Sequence, residues 1–301
     1  MSKERVSLYA QVTQRIVSEL EHGRLPWVQP WNSANAAVGI PRNARTGRRY
    51  TGINVLILWS RVIELGFDGQ QWLTFNQAHA LGGHVRRGEQ GTTICYADRF
   101  VPAQEQQRAD AEGREARQQA FLKRFTVFNV AQCDGLPADI MVADSIPPVE
   151  ELVPTAHRVM DATGAVIRIG GDRAYYSMVD DHIQIPHQSA YPQQINWYRT
   201  VLHELGHWSG HRSRLDRLTG APFGSEDYFR EELCAELASA FLCAELGIVP
   251  TVRHADYIGA WIEVMRSDER AIFRAARHAS RAAEFILACG TPQEDDNHAV
   301  L

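Results

Sequence analysis

No Cys-x-x-Cys pair occurs in the chain, and its five cysteines (Cys95, Cys133, Cys234, Cys243, Cys289) are odd in number and far apart. That pattern excludes a cysteine-based zinc site and disfavours a disulfide framework, so reduced thiols are expected. Nor does any stretch approach the roughly 18 consecutive apolar residues of a membrane helix. The opening residues, MSKERVSLYAQ, lack the apolar run of a signal peptide, so no membrane partner and a cytoplasmic location are expected. Internal repeats are absent. Acidic residues are missing between Arg24 and Arg61.

What is present is ordinary globular composition, 45% hydrophobic and 22% charged over 301 residues, enough for two domains with real cores. The net charge of −5 conceals an asymmetry. Residues 1–130 hold 17 Lys and Arg against 11 Asp and Glu, whereas residues 131–301 hold 14 against 25. Halves of opposite sign suggest domains with different partners.

The periodicity predicts a helix over residues 5–23 and then an irregular Pro/Gly/Asn-rich segment. Helices follow from Asn54, a candidate N-cap, and after Thr74. Short strands come next, interrupted at 104–119 by a charged, Gln/Ala-rich stretch without an apolar stripe, read as a solvated insertion. The Pro-bearing passage 136–148 is read as a linker between domains at 1–135 and 149–301. Beyond it come a helix at 149–162, a strand, a hairpin turning near Asp180-Asp181, and helices over 193–211, 225–247 and Ala255 to Cys289. The fold class expected is α+β in two domains.

The segment VLHELGHWSGH, residues 201–211, carries the chemistry. Residues four apart on an α-helix differ by about 40° and about 6 Å along the axis, so His203 and His207 can direct two imidazoles at one ion. Glu204 is then placed to take a proton from water, the H-E-x-x-H logic of zinc hydrolases. Gly206 allows a neighbouring helix to approach.

On the next helix Glu232 and Glu236 share a face, which is costly inside a core unless they meet a cation or donors. Glu232 is assigned as third ligand and Glu236 as the acceptor behind a ligand histidine, with the reverse order open. Glu231 is expected to face solvent. His211 is a rival ligand that Gly210 should swing away by ending the helix. Ser213 stands where a metzincin has its third histidine. Two histidines and a glutamate leave a position open for water, and they accept Zn²⁺ as well as Mn²⁺ or Co²⁺. Peptide hydrolysis is the chemistry implied, with Tyr228, Tyr175 and Tyr176 as candidate oxyanion donors.

The basic half interleaves Trp27, Trp31 and Tyr50 with Arg42, Arg45, Arg48 and Arg49, while Trp59 reads as buried in an apolar helix. Arg86, Arg87, Lys123 and Arg124 could extend the same surface. Arginines for phosphates and aromatics for bases favour single-stranded nucleic acid.

LPWVQPWN, IPRNARTGRRYTGINVLIL, WLTFNQAHALGGHVRRGEQGT and VFNVAQ resemble the N-terminal domain of the ArdC-type antirestriction proteins, shared with plasmid TraC-like primases. HELGHWSGHRSRLDR and FGSEDYFREELCAELASAFL resemble their C-terminal zincin-like metallopeptidase domain. The resemblance implies a small single-stranded-DNA-binding domain joined to a gluzincin-like fold, protecting incoming plasmid DNA from host restriction during conjugation. It matches His203, Glu204 and His207 to the zincin motif, and Glu232 with Glu236 to the following helix. It leaves two versions open: a protease acting on a host restriction component or other protein, and a non-enzymatic strand-coating protein whose metal site is structural or vestigial.

Overall fold

The computed structural model describes residues 6–28, 39–140, 149–250 and 255–290. It contains two compact units, both mixed in helix and sheet, whose boundaries follow packing rather than chain order. Residues 41–49 and 71–142 make the smaller unit; residues 1–40, 50–70 and 143–301 make the larger. A division over 136–148 therefore accounts for one of four chain crossings, and residues 141–148 lie outside the described ones.

The tryptophans supply the physical reason. Helix α1 (Leu8–Glu21), capped by the Ser7 hydroxyl accepting from the Ala10 N–H, buries Ile16, Val17 and Leu20. Helix α2 (Ile53–Leu65) is buried along most of its length. Its N-cap is Gly52 rather than Asn54; Gly52 has φ +60°, and its N–H donates to the Ser280 hydroxyl at 2.8 Å. Trp59 on α2 meets Phe241 edge-on with ring centroids 5.6 Å apart, and Trp27 meets Trp261 at 6.1 Å. These helices from the N-terminal sequence complete the core of the larger unit.

That unit continues with α5 (Val149–Ala162) and a three-stranded sheet of β7 (Val166–Ile169), β8 (Tyr175–Ser177) and β9 (His182–Ile185). The strand order is β7-β9-β8, with β7 parallel and β8 antiparallel to the central β9, so β8 is an edge. Helix α6 (Gln194–Ser209) packs on this sheet, and the Trp197 indole donates to the Pro186 carbonyl at 2.8 Å. Helices α7 (Glu226–Glu245) and α9 (Ala271–Ala288) close the core behind it. The single helix expected over 255–289 is broken into α8 (Ile258–Ser267) and α9 at Asp268, whose backbone is extended and whose carboxylate accepts from the Arg270 N–H.

In the smaller unit β1 (Arg42–Asn43), β2 (Gln71–Leu73), β4 (Thr92–Phe100) and β5 (Gln119–Asn129) form a sheet ordered β1-β2-β5-β4. β3 (His84–Val85) pairs with β6 (Cys133–Asp134). Helix α3 (Phe75–Ala80) starts at Thr74 in a capping box closed by Gln77, as the sequence predicts for that threonine. The small core gathers Leu73, Ala78, Val130 and Cys133. The insertion between β4 and β5 folds as α4 (Ala103–Glu112), ended by Gly113 at φ +64° and burying Ala109, with Arg114 ion-paired to Glu105. No described helix is long and apolar enough to cross a membrane.

Because Trp59 fills the core of the larger unit, Trp59→Ala should lower that unit's unfolding free energy by about 3–5 kcal/mol. Urea denaturation followed by far-UV circular dichroism checks this; an unshifted transition would show that α2 is not integral to the unit.

Candidate metal centre and basic face

Helices α6 and α7 meet where glycine permits it. A Cβ built on Gly206 would lie 3.2 Å from the Ala235 Cα and 3.3 Å from its carbonyl oxygen, so the backbones approach closely. His203 and His207 thereby face α7. One nitrogen of each and one carboxylate oxygen of Glu232 lie within 4.8 Å of one another. Both Nε2 atoms sit 3.6 Å from Glu232 oxygens. This is a donor set of the size and kind that holds one divalent ion.

Behind each imidazole stands a carboxylate. Glu236, buried, places an oxygen 3.6 Å from His203 Nδ1. Glu231, expected in solvent, instead accepts from His207 Nδ1 at 3.0 Å. A carboxylate can only accept here, so Nδ1 carries a proton and Nε2 is the nitrogen turned towards Glu232. Two further bonds fix Glu231, both from the Arg217 guanidinium at 2.8 Å. Burial acts to raise the Glu231 carboxyl pKa, but Arg217 and His207 outweigh it and hold it below the usual range. Arg217 also donates to the Gly206 carbonyl, tying this loop to the close helix contact. Sequence reasoning missed Glu231 and Arg217 because their pairing joins a helix to a loop 14 residues away.

Gly210 ends α6, and His211 beyond it pairs its ring with the Ser213 hydroxyl at 2.7 Å, outside the cluster. Glu204, buried, lines the same cavity of about 910 Å³ as His203, His207 and Glu232.

Of the three tyrosines, Tyr176 is committed to structure. Its hydroxyl donates to Asp181 at 2.7 Å and accepts from Arg214, which also clamps Asp181. Tyr175 is half-exposed on β8. Tyr228 lines the cavity one turn before Glu232 with its hydroxyl 3.2 Å from that of Tyr257. Burial, Tyr257 and the Glu232 charge raise the Tyr228 pKa, so its hydroxyl keeps its proton.

The aromatics and the basic residues of the N-terminal half differ in exposure. Trp27 and Trp59 are fully buried in the larger unit, and Trp31 lies outside the described residues. Tyr50 belongs to the larger unit, whereas Arg42, Arg45, Arg48 and Arg49 belong to the smaller. Of these arginines 45, 48 and 49 are exposed. Arg86 is exposed but bound to Glu89, Asp134 and the Ala131 carbonyl; Arg87 beside it is exposed too. Lys123 and Arg124 are adjacent on β5 and so point to opposite faces.

The exposed aromatics of this unit are ones that sequence reasoning passed over. Tyr96 and Phe125, 51% and 44% exposed, meet edge-on across β4 and β5 with centroids 6.1 Å apart. Lys123 lies directly opposite Tyr96 and shares that face. Counted over the packed units, the smaller has 12 Lys and Arg against 8 Asp and Glu, a net +4, and the larger has 19 against 28, a net −9.

An H-E-x-x-H helix laid between a mixed sheet and a carboxylate-bearing helix is a zincin-like arrangement, and residues 154–278 match the family model of a zincin-like metallopeptidase. Residues 6–128 match that of the N-terminal domain of anti-restriction factor ArdC. Two crystal structures of the antirestriction protein ArdC from plasmid R388, one metal-free and one Mn(II)-bound, superpose with TM-score 0.78. They are 35% and 34% identical, over 94% and 96% of this chain and 98% and 100% of theirs. The chain belongs to the ArdC antirestriction family. DNA primase TraC of Escherichia coli is also similar, in two versions at 40% and 37% identity; this chain spans 28% and 20% of their length. A protein of Sinorhizobium fredii, y4eC, is 36% identical over 93% of this chain and 92% of its own.

Adding bulk at the helix contact should separate the ligand-bearing faces. Gly206→Val should cost about 1–3 kcal/mol of stability, read as a lowered urea midpoint; an unchanged midpoint would mean that α6 and α7 have slack there.

Proposed function

We propose that this chain protects incoming plasmid DNA from host restriction during conjugation by combining single-stranded-DNA binding in the basic unit with a metal-dependent peptidase centre in the acidic one. One observation carries the second half. The His203, His207 and Glu232 donors converge within 4.8 Å, a carboxylate stands behind each imidazole, and Glu204 faces the same cavity.

His203, His207 and Glu232 would hold the ion, with Zn²⁺, Mn²⁺ and Co²⁺ all suited to the set, and the Mn(II)-bound R388 relative supports a divalent ion here. Such an ion supplies Lewis acidity to a carbonyl and acidity to water at an open position. The chain's own residues do the rest. Glu236 and Glu231 orient the imidazoles, and Arg217 keeps Glu231 an anion. Glu204 takes a proton from the attacking water and passes it to the leaving amine. Tyr228, protonated and in the cavity, is the candidate donor to the oxyanion. The edge strand β8 offers its outer backbone groups to an extended peptide.

Strand binding is supported by the net positive charge of the smaller unit and by exposed Arg45, Arg48, Arg49 and Arg87. The Tyr96 and Phe125 rings are the stacking surface that the buried tryptophans cannot be.

Glu204→Ala should retain one divalent ion per chain by mass spectrometry while hydrolysis of a casein substrate falls by at least about 100-fold. Unchanged hydrolysis would remove the proton shuttle. In a recipient cell, loss of protection in Glu204→Ala supports a protease, whereas full protection supports the strand-coating alternative. Tyr96→Ala with Phe125→Ala should weaken binding to an oligo(dT) strand by about tenfold or more. Fluorescence anisotropy at fixed salt measures this, and undiminished affinity would place the bases elsewhere.

A further inference from the structure

The mouth of the metal cavity is apolar, although its floor is charged. On one side β8 and the turn after it present Tyr175 and Met178, which are 47% and 39% exposed and line the cavity. On the other side the loop before α7 presents Phe223, 80% exposed, with its ring 4.8 Å from that of Tyr228. The two sides meet at Gly220, where a Cβ would lie 3.2 Å from the Met178 terminal methyl. Gly220 and Gly224, at φ +68° and +78°, bracket Ala221, Pro222 and Phe223, so the loop turns sharply and holds the phenyl ring outward. Large apolar side chains left this open beside a cleft mark a surface that is covered on binding.

We infer that this mouth selects an extended polypeptide carrying a bulky apolar side chain, held between Phe223 on one side and Met178 with Tyr175 on the other. The inference rests on the peptidase reading of the same cavity and names its substrate class. Two observations fix the occupant. The mouth is continuous with the outer edge of β8, which pairs with extended main chain and not with a helix or a folded surface. The exposed rings and methyls gain from burying another apolar group, whereas a charged side chain would be desolvated there. Extended segments with bulky apolar residues lie inside native proteins, so the substrate class is unfolded or locally opened polypeptide. Intact folded proteins are spared.

The test uses the full-length, Mn²⁺-loaded Glu204→Gln protein, so that bound peptide persists. The probes are two fluorescein-labelled Gly/Ser peptides of about twelve residues, long enough to cover β8 and the mouth, with leucine or glutamate at the centre. Anisotropy should show the leucine peptide binding about tenfold more tightly, the effect of burying one such side chain. Adding Phe223→Ala and Met178→Ser, both at exposed positions where folding is not at stake, should reduce that preference to less than about twofold. Equal affinities, no binding of either peptide, or a preference that survives the two substitutions would overturn the inference. The two readings fail separately. Wild-type cleavage of both peptides at equal rates sinks the selectivity and leaves the peptidase, while selective binding without cleavage does the reverse.

Discussion

The close contact of α6 with α7 is the constraint from which the metal centre follows. Imidazoles reach only a few ångströms from their helix, so donors on two helices can share an ion only if the backbones nearly touch. Gly206 opposite Ala235 provides that approach, and the Arg217 bond to the Gly206 carbonyl holds the following loop against it. The same arginine fixes Glu231, and Glu231 fixes the His207 tautomer. A single guanidinium therefore links the helix spacing to the proton position on a ligand.

Charge is distributed with equal consequence. Four acidic side chains, Glu204, Glu231, Glu232 and Glu236, crowd around two imidazoles, with Arg217 paired to Glu231. Such a cluster is unfavourable in a low-dielectric interior unless a cation joins it. Metal binding and the stability of the larger unit are thus coupled through the same side chains. The smaller unit has the opposite sign, and one face of its hairpin carries two exposed rings and a lysine.

Much of the metal centre was legible because it is written in helical spacing. His203 and His207, and Glu232 and Glu236, are each four residues apart, and geometry on one helix is local. Glu231 was misplaced because a helix wheel cannot register Arg217, which arrives from a loop. The burial of Trp27 was illegible for a related reason. Trp27 looks like a stacking residue in a Pro-rich segment, but exposure is a tertiary property, and its partner Trp261 lies far along the chain. Tyr96 and Phe125, on strands with unremarkable alternation, gave no signal that their side was uncovered. The division into units was hidden in the same way, since α1 and α2 bury their apolar faces on helices from the other end of the chain.

That long-range closure governs how the chain can acquire its structure during synthesis. The Thr13 hydroxyl reaches the Glu269 carbonyl across 256 residues, and Gly52 reaches Ser280 across 228. Helices α1 and α2 therefore leave the ribosome with only each other for cover, joined by Arg15–Glu64 and Ser60–Glu19, and they wait until residues 269–280 have emerged. The smaller unit, whose last strand ends at Asp134, is free to condense earlier. Birth order and folding order are thus reversed for the amino-terminal helices, and during that interval their apolar stripes are the part of the nascent molecule most in need of a chaperone.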